Sequence, residues 1–404
     1  MKVGIIGGGA SGMAAALAAA QNENIQVIVL ERQARVGRKL LATGNGRCNL
    51  TNLHATGASY HGNDPDFAQG ALSQQTVEKT LQWFSGLGLY TVTEESGKVY
   101  PYSDQANSVV DILRLNMERP NVQLITGFEV TKIKKTDFGF ELSNGEQTLV
   151  VDRLVIACGG LAGSKLGGTM AGYKLLGKLG HRCTKLRPAL VQLKSSWGAL
   201  AGLKGVRTNC YAQIRKDTEI FAQSRGELQF TEYGLSGPVI FEISRDVASV
   251  AGEWTCQLDF LPDMTVESLV EELHRRTTTH LPVQELLTGI LHNRLGRVLT
   301  QAAGVSMQML CSQLREDQIN AVCQAVKKFE IVLTEPMGMD SAQVTAGGVL
   351  TDQFDPNTLE SKLVNGLFAC GEVLDIDGDC GGYNLQWAWS SGFVAGSYAG
   401  KESV

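Results

Sequence analysis

Short β-branched runs and glycine-broken helical stretches alternate at both ends of the chain. Residues 2–7 (Lys-Val-Gly-Ile-Ile-Gly) read as a buried strand, residues 10–21 as an alanine-rich helix, and residues 25–31 (Ile-Gln-Val-Ile-Val-Leu-Glu) as a second strand. Strand, tight turn, helix and strand in that order predict a parallel sheet with a right-handed crossover. Residues 122–151 read as β-ribbon in four pieces: Val122–Thr126, 129–134, 139–142 and Thr148–Val151. Residues 152–157 read as a further buried strand ending at Gly159-Gly160, and 169–180 as helix.

From about residue 190 the pattern changes. Residues 191–260 show alternating runs with turn signals, as in an antiparallel sheet or small barrel. Residues 265–330 interleave polar and apolar positions at helical spacing, over 266–276, 283–299, 306–314 and 316–327. Residues 331–368 return to strands, and a glycine-rich stretch from Gly371 leads into a helix over 384–398. The two ends share a style that the middle lacks. This predicts a discontinuous nucleotide domain (1–190 plus 336–404), a β-rich subdomain (191–261 with 331–335) and a helical insertion (262–330).

At 404 residues the chain exceeds what one core usually organises. Charged residues are only 19%, which argues against disorder. The 46 glycines follow no G-X-Y period, so they mark turns and close backbone approaches. A net charge of -5 offers no long-range attraction for nucleic acid or anionic lipid. Nine scattered cysteines without a CxxC pair point away from disulfides and zinc, and toward a reducing, cytoplasmic setting. The apolar start mimics a signal peptide, but Gly7, Gly8, Gly9 and Gly12 interrupt it. No uninterrupted run is long enough to span a membrane. A small-molecule substrate is expected, with no nucleic acid or membrane partner; oligomeric state is left open.

The glycines at 7, 9 and 12 form G-x-G-x-x-G between strand and helix. Gly7 permits the tight turn, Gly9 lets backbone approach a pyrophosphate, and Gly12 permits close helix–strand packing. Glu31 follows Gly12 by 19 residues, at the end of the second strand, where a carboxylate can accept both ribose hydroxyls. Residues 36–52 (Val-Gly-Arg-Lys-Leu-Leu-Ala-Thr-Gly-Asn-Gly-Arg-Cys-Asn-Leu-Thr-Asn) are dense in hydrogen-bonding groups, as a long cofactor running from ribose to ring would need. Residues 370–384 carry four acids, but their spacing is not that of a calcium loop, and no metal is expected. Gly381-Gly382-Tyr383-Asn384 opens the last helix. Cys48 and Cys380 read as small packing residues rather than a redox-active thiol pair. The six histidines show no metal-ligand spacing and read as surface or loop residues.

The Gly-Arg-Lys-Leu…Thr-Gly-Asn-Gly-Arg-Cys-Asn-Leu-Thr-Asn run resembles the YhiN/BaiN-like flavoproteins, which include enzymes of aminoacetone-oxidase type. The likeness recurs at residues 97–103, 158–160, 168–173, 226–238 and 370–384, and is loosest in the helical insertion. It implies an α/β fold with a glutathione-reductase-type Rossmann FAD domain, an inserted β-barrel-like subdomain and a helical cap. It implies FAD contacts in the first turn from Gly7, Gly9, Ala10, Ser11 and Gly12, then from Glu31 and Arg32. In the following loop it implies Arg38, Lys39, Leu40, Asn45, Arg47, Cys48 and Asn49. Further on it implies Val130, Gly159, Gly371, Glu372, Asp379, Gly382, Tyr383, Asn384 and Leu385. Arg47, Tyr100, Tyr383 and Asn384 are the candidates for a catalytic group beside the flavin.

No second complete G-x-G-x-x-G is present, so NAD(P)H is expected to dock transiently as electron donor. The resemblance implies NAD(P)H-driven reduction of a C=C bond conjugated to a ketone, on a 3-oxo bile-acid or steroid-like enone. An amine oxidase producing peroxide and a non-catalytic flavin-binding regulator remain as alternatives. The substrate is expected between the flavin ring and the insertion. The insertion is expected to set substrate choice.

Overall fold

In the computed structural model, residues 1–216, 219–250 and 252–402 are described. Contacts divide the chain into Met1–Arg187 with Gln343–Val404, and Pro188–Ala342.

The first unit is built on a five-stranded parallel sheet. Its order is Leu367–Ala369, Arg153–Ile156, Lys2–Ile6, Gln26–Glu31, Val122–Thr126. The central strand is buried on both faces, which is why it reads as a continuous apolar run. Val122–Thr126, expected in the ribbon, is instead the edge strand of this sheet, half-exposed as a ribbon strand would be. The ribbon itself is a three-stranded antiparallel sheet of Lys132–Thr136, Gly139–Ser143 and Thr148–Val151.

Helix Ala10–Ala19 packs against the last helix, Tyr383–Ala399, at backbone distance. A Cβ at Gly392 would lie 2.3 Å from the Ser11 carbonyl oxygen, and one at Gly396 would lie 2.1 Å from that of Ala15. Alanine on one helix and glycine every fourth residue on the other allow this approach, and any larger side chain would part the helices.

The second unit is a closed antiparallel barrel. Its strands run Leu193–Ser195, Gly234–Ser236, Glu219–Phe230, Arg207–Lys216, Trp254–Asp259, Phe329–Pro336. Helices Val266–Thr277, Asn293–Ala302 and Glu316–Lys327 bury Leu269, Leu273, Leu295, Leu299, Ile319 and Val322 in the same core as Ile214, Leu228 and Leu258 of the barrel. The helix expected over 283–299 is broken: a short turn at Val283–Glu285 precedes Gly289 at φ +83°, and the helix restarts after His292. The one expected over 306–314 is reduced to a single turn, Cys311–Gln313. No helix among the described residues is long and apolar enough to cross a membrane.

Candidate functional site

Three glycine turns leave the carboxyl ends of three adjacent parallel strands. Lys2–Ile6 runs into Gly7, Arg153–Ile156 into Gly159-Gly160, and Leu367–Ala369 into Gly371. The strand order reverses direction at the first strand, and such a crevice is where open α/β sheets take their ligands.

In the first turn, Gly7 has φ +112° and a Cβ there would lie 2.3 Å from the Ala157 carbonyl oxygen. At Gly12 a Cβ would lie 1.9 Å from the Gly7 carbonyl oxygen. Chain packing demands both glycines. Gly9 differs: its φ is -82°, and a Cβ there meets nothing within 4 Å. Nothing among the described residues requires glycine at 9, whereas a ligand lying on the backbone would. The helix opens at Gly9 with no side-chain cap, so the N–H groups of its first turn, Ala10 and Ser11 among them, remain for an anion. Gly159, at φ +69°, opens onto the same kind of empty space.

Glu31 is buried at the end of the second strand. One carboxylate oxygen accepts the Gly8 N–H at 2.7 Å, and the other accepts the Gln33 N–H at 2.7 Å. Each oxygen keeps a second lone pair, so the locked carboxylate can still accept from hydroxyls of a ligand. Arg32 donates to the Gly167 carbonyl (2.9 Å), and Arg38 to the Gln33 side chain (2.9 Å). Val130 is buried two residues past Phe128, whose N–H donates to the Glu31 carbonyl.

The loop after the buried Leu40 is unusual in its backbone. Gly44, Asn45, Gly46 and Cys48 all have left-handed φ, between +56° and +86°. For the two non-glycines this costs about 1–2 kcal/mol each, and such strain collects at ligand sites. Cys48 is fully buried and desolvation pushes its thiol up to about 12, so it is not a thiolate near neutrality. Arg47 stacks 3.9 Å over the Tyr100 ring and donates to Asp104 and Glu94. The Asp104 bond raises its already high pKa, so Arg47 staples the loop to neighbouring segments as a fixed cation. Asn49 is 8% exposed, and its Oδ1 finds no hydrogen-bond partner among the described residues. A Cβ on Gly382 would lie 2.9 Å from that oxygen.

Glu372 ties the turns together. Its Oε2 lies 2.8 Å from Lys39 Nζ, its Oε1 accepts the Thr345 N–H at 2.9 Å, and a Cβ on Gly160 would lie 2.2 Å from Oε1. Asn384 is spent on its own loop, accepting from the Gly378 N–H (2.8 Å) and donating to the Gly378 carbonyl (2.7 Å). The last helix opens at Gly382, φ +107°, again with no side-chain cap. Tyr383 and Leu385 are half-buried in its first turn, and the Tyr383 carbonyl accepts from the Tyr60 hydroxyl at 3.1 Å. Asp379 Oδ1 sits 2.7 Å from His61 Nε2. His61 and Thr345 carried no local signal in the sequence; only folding brings them to residues 372–379. His181, expected at the surface or in a loop, is a buried loop residue stacked on Phe354 and bonded to Ser361.

These features fit a dinucleotide with a fused polar ring. Gly9 leaves room over the backbone, two uncapped helix N-termini offer N–H donors, Glu31 offers acceptors, and Asn49 Oδ1 is a buried acceptor awaiting a donor.

Known proteins extend this picture. The chain is 40% identical over 410 residues to a 3-dehydro-bile acid delta(4,6)-reductase of Clostridium scindens, covering 99% of each chain. It is 32% identical to a ribosomal RNA dihydrouridine synthase of Escherichia coli, covering 96% of each. A 3-ketosteroid delta1-dehydrogenase of Sterolibacterium denitrificans shares the fold at 12% identity and a TM-score of 0.50, over 98% of this chain and 99% of that one. The family described as HI0933-like protein Rossmann domain matches residues 1–398, and the chain belongs to it.

Proposed function

We propose that the protein is an FAD-dependent oxidoreductase that reduces a C=C bond conjugated with a ketone, on a steroid-like 3-oxo bile acid, with NAD(P)H as transient electron donor. The observation that carries this is 40% identity across 99% of both chains to a reductase of that class.

Bound FAD would supply hydride transfer, and the chain's residues supply the rest. The first helix's N-terminus and Gly9 would hold the pyrophosphate, and Glu31 the adenosine ribose. Lys39, steadied by Glu372, would balance phosphate charge. The flavin pyrimidine edge presents one N–H between two carbonyls. Asn49 Oδ1 matches that N–H, and the uncapped last helix matches a carbonyl. The helix dipole there would favour the negative charge that gathers on this edge on reduction.

A second reading is reduction of uridine in RNA, favoured by 32% identity to the dihydrouridine synthase. The chemistry is related, because the uracil C5=C6 bond is also conjugated with a carbonyl. A net charge of -5 weighs against phosphate-driven RNA binding. FAD-loaded protein should oxidise NAD(P)H with a 3-oxo-4-ene bile acid and yield a product two mass units heavier. Turnover with unmodified ribosomal RNA and none with the enone would move the reading to RNA. Peroxide formation with an amine would move it to an oxidase.

A further inference from the structure

We infer that His61, held by Asp379, donates the proton to the α-carbon of the reduced substrate. This rests on the enone-reductase reading above. Bound reduced flavin would supply hydride to the β-carbon, forming the new C–H bond there, and the C=C electron pair would shift to give an enolate. The enolate carbon then takes a proton from the imidazolium. That N–H bond breaks, and neutral imidazole regains a proton from water. The cofactor accounts for the hydride and leaves the proton to the chain.

The placement comes from the fold. Tyr60–His61 pairs antiparallel with Asp377–Gly378, just before the glycine turn that opens the last helix. Asp379 N–H donates to the Ser59 carbonyl (3.0 Å), and Asn63 N–H to Asp375 Oδ2 (3.2 Å). At Gly62 a Cβ would lie 2.1 Å from the Asp375 carbonyl oxygen. His61 is therefore fixed to the loop that carries the C-terminal signature. Its side chain and that of Asp379 are each 35% exposed, so the pair is reachable.

The other titratable groups nearby are unsuited. The Tyr60 hydroxyl is committed to the Tyr383 carbonyl, and burial pushes its ionisation far up. Burial raises Tyr100 as well, and Arg47 is held as a permanent cation. Titratable groups around His61 include Asp379 on its ring, Asp377 opposite it in the strand pair, Asp375 on the Asn63 N–H, and Tyr60 before it in sequence, whose hydroxyl reaches the Tyr383 carbonyl. The Lys98 side chain comes close to Gly381, two residues past Asp379. A carboxylate at 2.7 Å orients the ring for proton transfer.

The test uses FAD-loaded wild type, His61→Gln and Asp379→Asn, photoreduced without oxygen and mixed with a 3-oxo-4-ene bile acid. Enone-driven reoxidation should slow at least about 100-fold in His61→Gln. Reoxidation by ferricyanide, which protonates no carbon, should keep its wild-type rate. Product made by wild type in D2O should carry solvent deuterium at the α-carbon. The wild-type rate should fall as pH rises through the His61 pKa, and that fall should move to lower pH in Asp379→Asn. An NMR titration of the His61 ring in the resting oxidised protein, which needs no turnover, should show the same midpoint and the same shift. Wild-type enone reoxidation rates in His61→Gln, or an unmoved midpoint in Asp379→Asn, would overturn the assignment. Wild type that no enone reoxidises would instead overturn the enone reading, and this inference with it.

Discussion

Replacing Glu31 separates what the carboxylate does for the fold from what it would do for the cofactor. Both of its oxygens accept backbone N–H groups at 2.7 Å, and the side chain is buried. A hydrogen bond to a charged group contributes about 1.5–3 kcal/mol, so Glu31→Ala should lower stability by about 3–6 kcal/mol with or without FAD. Glu31→Gln keeps the volume and one carbonyl acceptor, so it should lose about half of that. The ribose contacts are additional. Their loss should weaken FAD binding by about 1–3 kcal/mol, which is about 5- to 150-fold in Kd. Chemical denaturation of apo-protein measures the first quantity, and quenching of flavin fluorescence on titration measures the second. Folded Glu31→Gln that binds FAD with the wild-type Kd would show that Glu31 only braces the turn and does not hold ribose.

Gly9→Val should leave apo-protein stability within about 1 kcal/mol, because a Cβ there meets nothing, yet raise the FAD Kd more than about 10-fold by blocking the backbone; equal FAD affinity would place the ligand elsewhere. Gly396→Val should unfold the protein or cost more than about 3 kcal/mol in denaturant, since its Cβ would lie 2.1 Å from the Ala15 carbonyl oxygen. With its thiol pushed up to about 12, Cys48 should be only about one part in 10⁴ thiolate at pH 8 and escape iodoacetamide in folded protein; mass spectrometry of labelled peptides checks this. Replacing residues 262–330 with a short linker should give insoluble protein, because Leu269, Leu273, Leu295 and Leu299 share one core with the barrel; a soluble, cooperatively folding product would contradict that.

The parallel sheet was legible because its central strands are buried on both faces and its turns need glycine at 7 and 12 for steric reasons. The family likeness, read from residues 36–52 and 370–384, is borne out by the match over residues 1–398. The Gly392-x₃-Gly396-x₃-Gly400 spacing stands in the sequence, but only the fold sets it opposite the alanine-rich first helix. Other features could not be seen. Nothing local distinguishes Val122–Thr126 as a sheet edge from a ribbon strand, since both are half-exposed. Helical spacing over 283–299 hid a break that only Gly289's positive φ and the His292 cap reveal. The Lys39–Glu372 and His61–Asp379 pairs join residues more than 300 positions apart, and no spacing rule reaches that far.

The central claim is that this chain binds FAD and passes its electrons to a conjugated enone. The direct measurement is a single turnover: FAD-loaded protein is reduced without oxygen, mixed with a 3-oxo-4-ene bile acid, and followed by flavin absorbance and product mass. The account predicts return of the oxidised flavin spectrum together with one equivalent of product two mass units heavier. A flavin that stays reduced in the enone's presence, or protein that takes up no FAD, would contradict it.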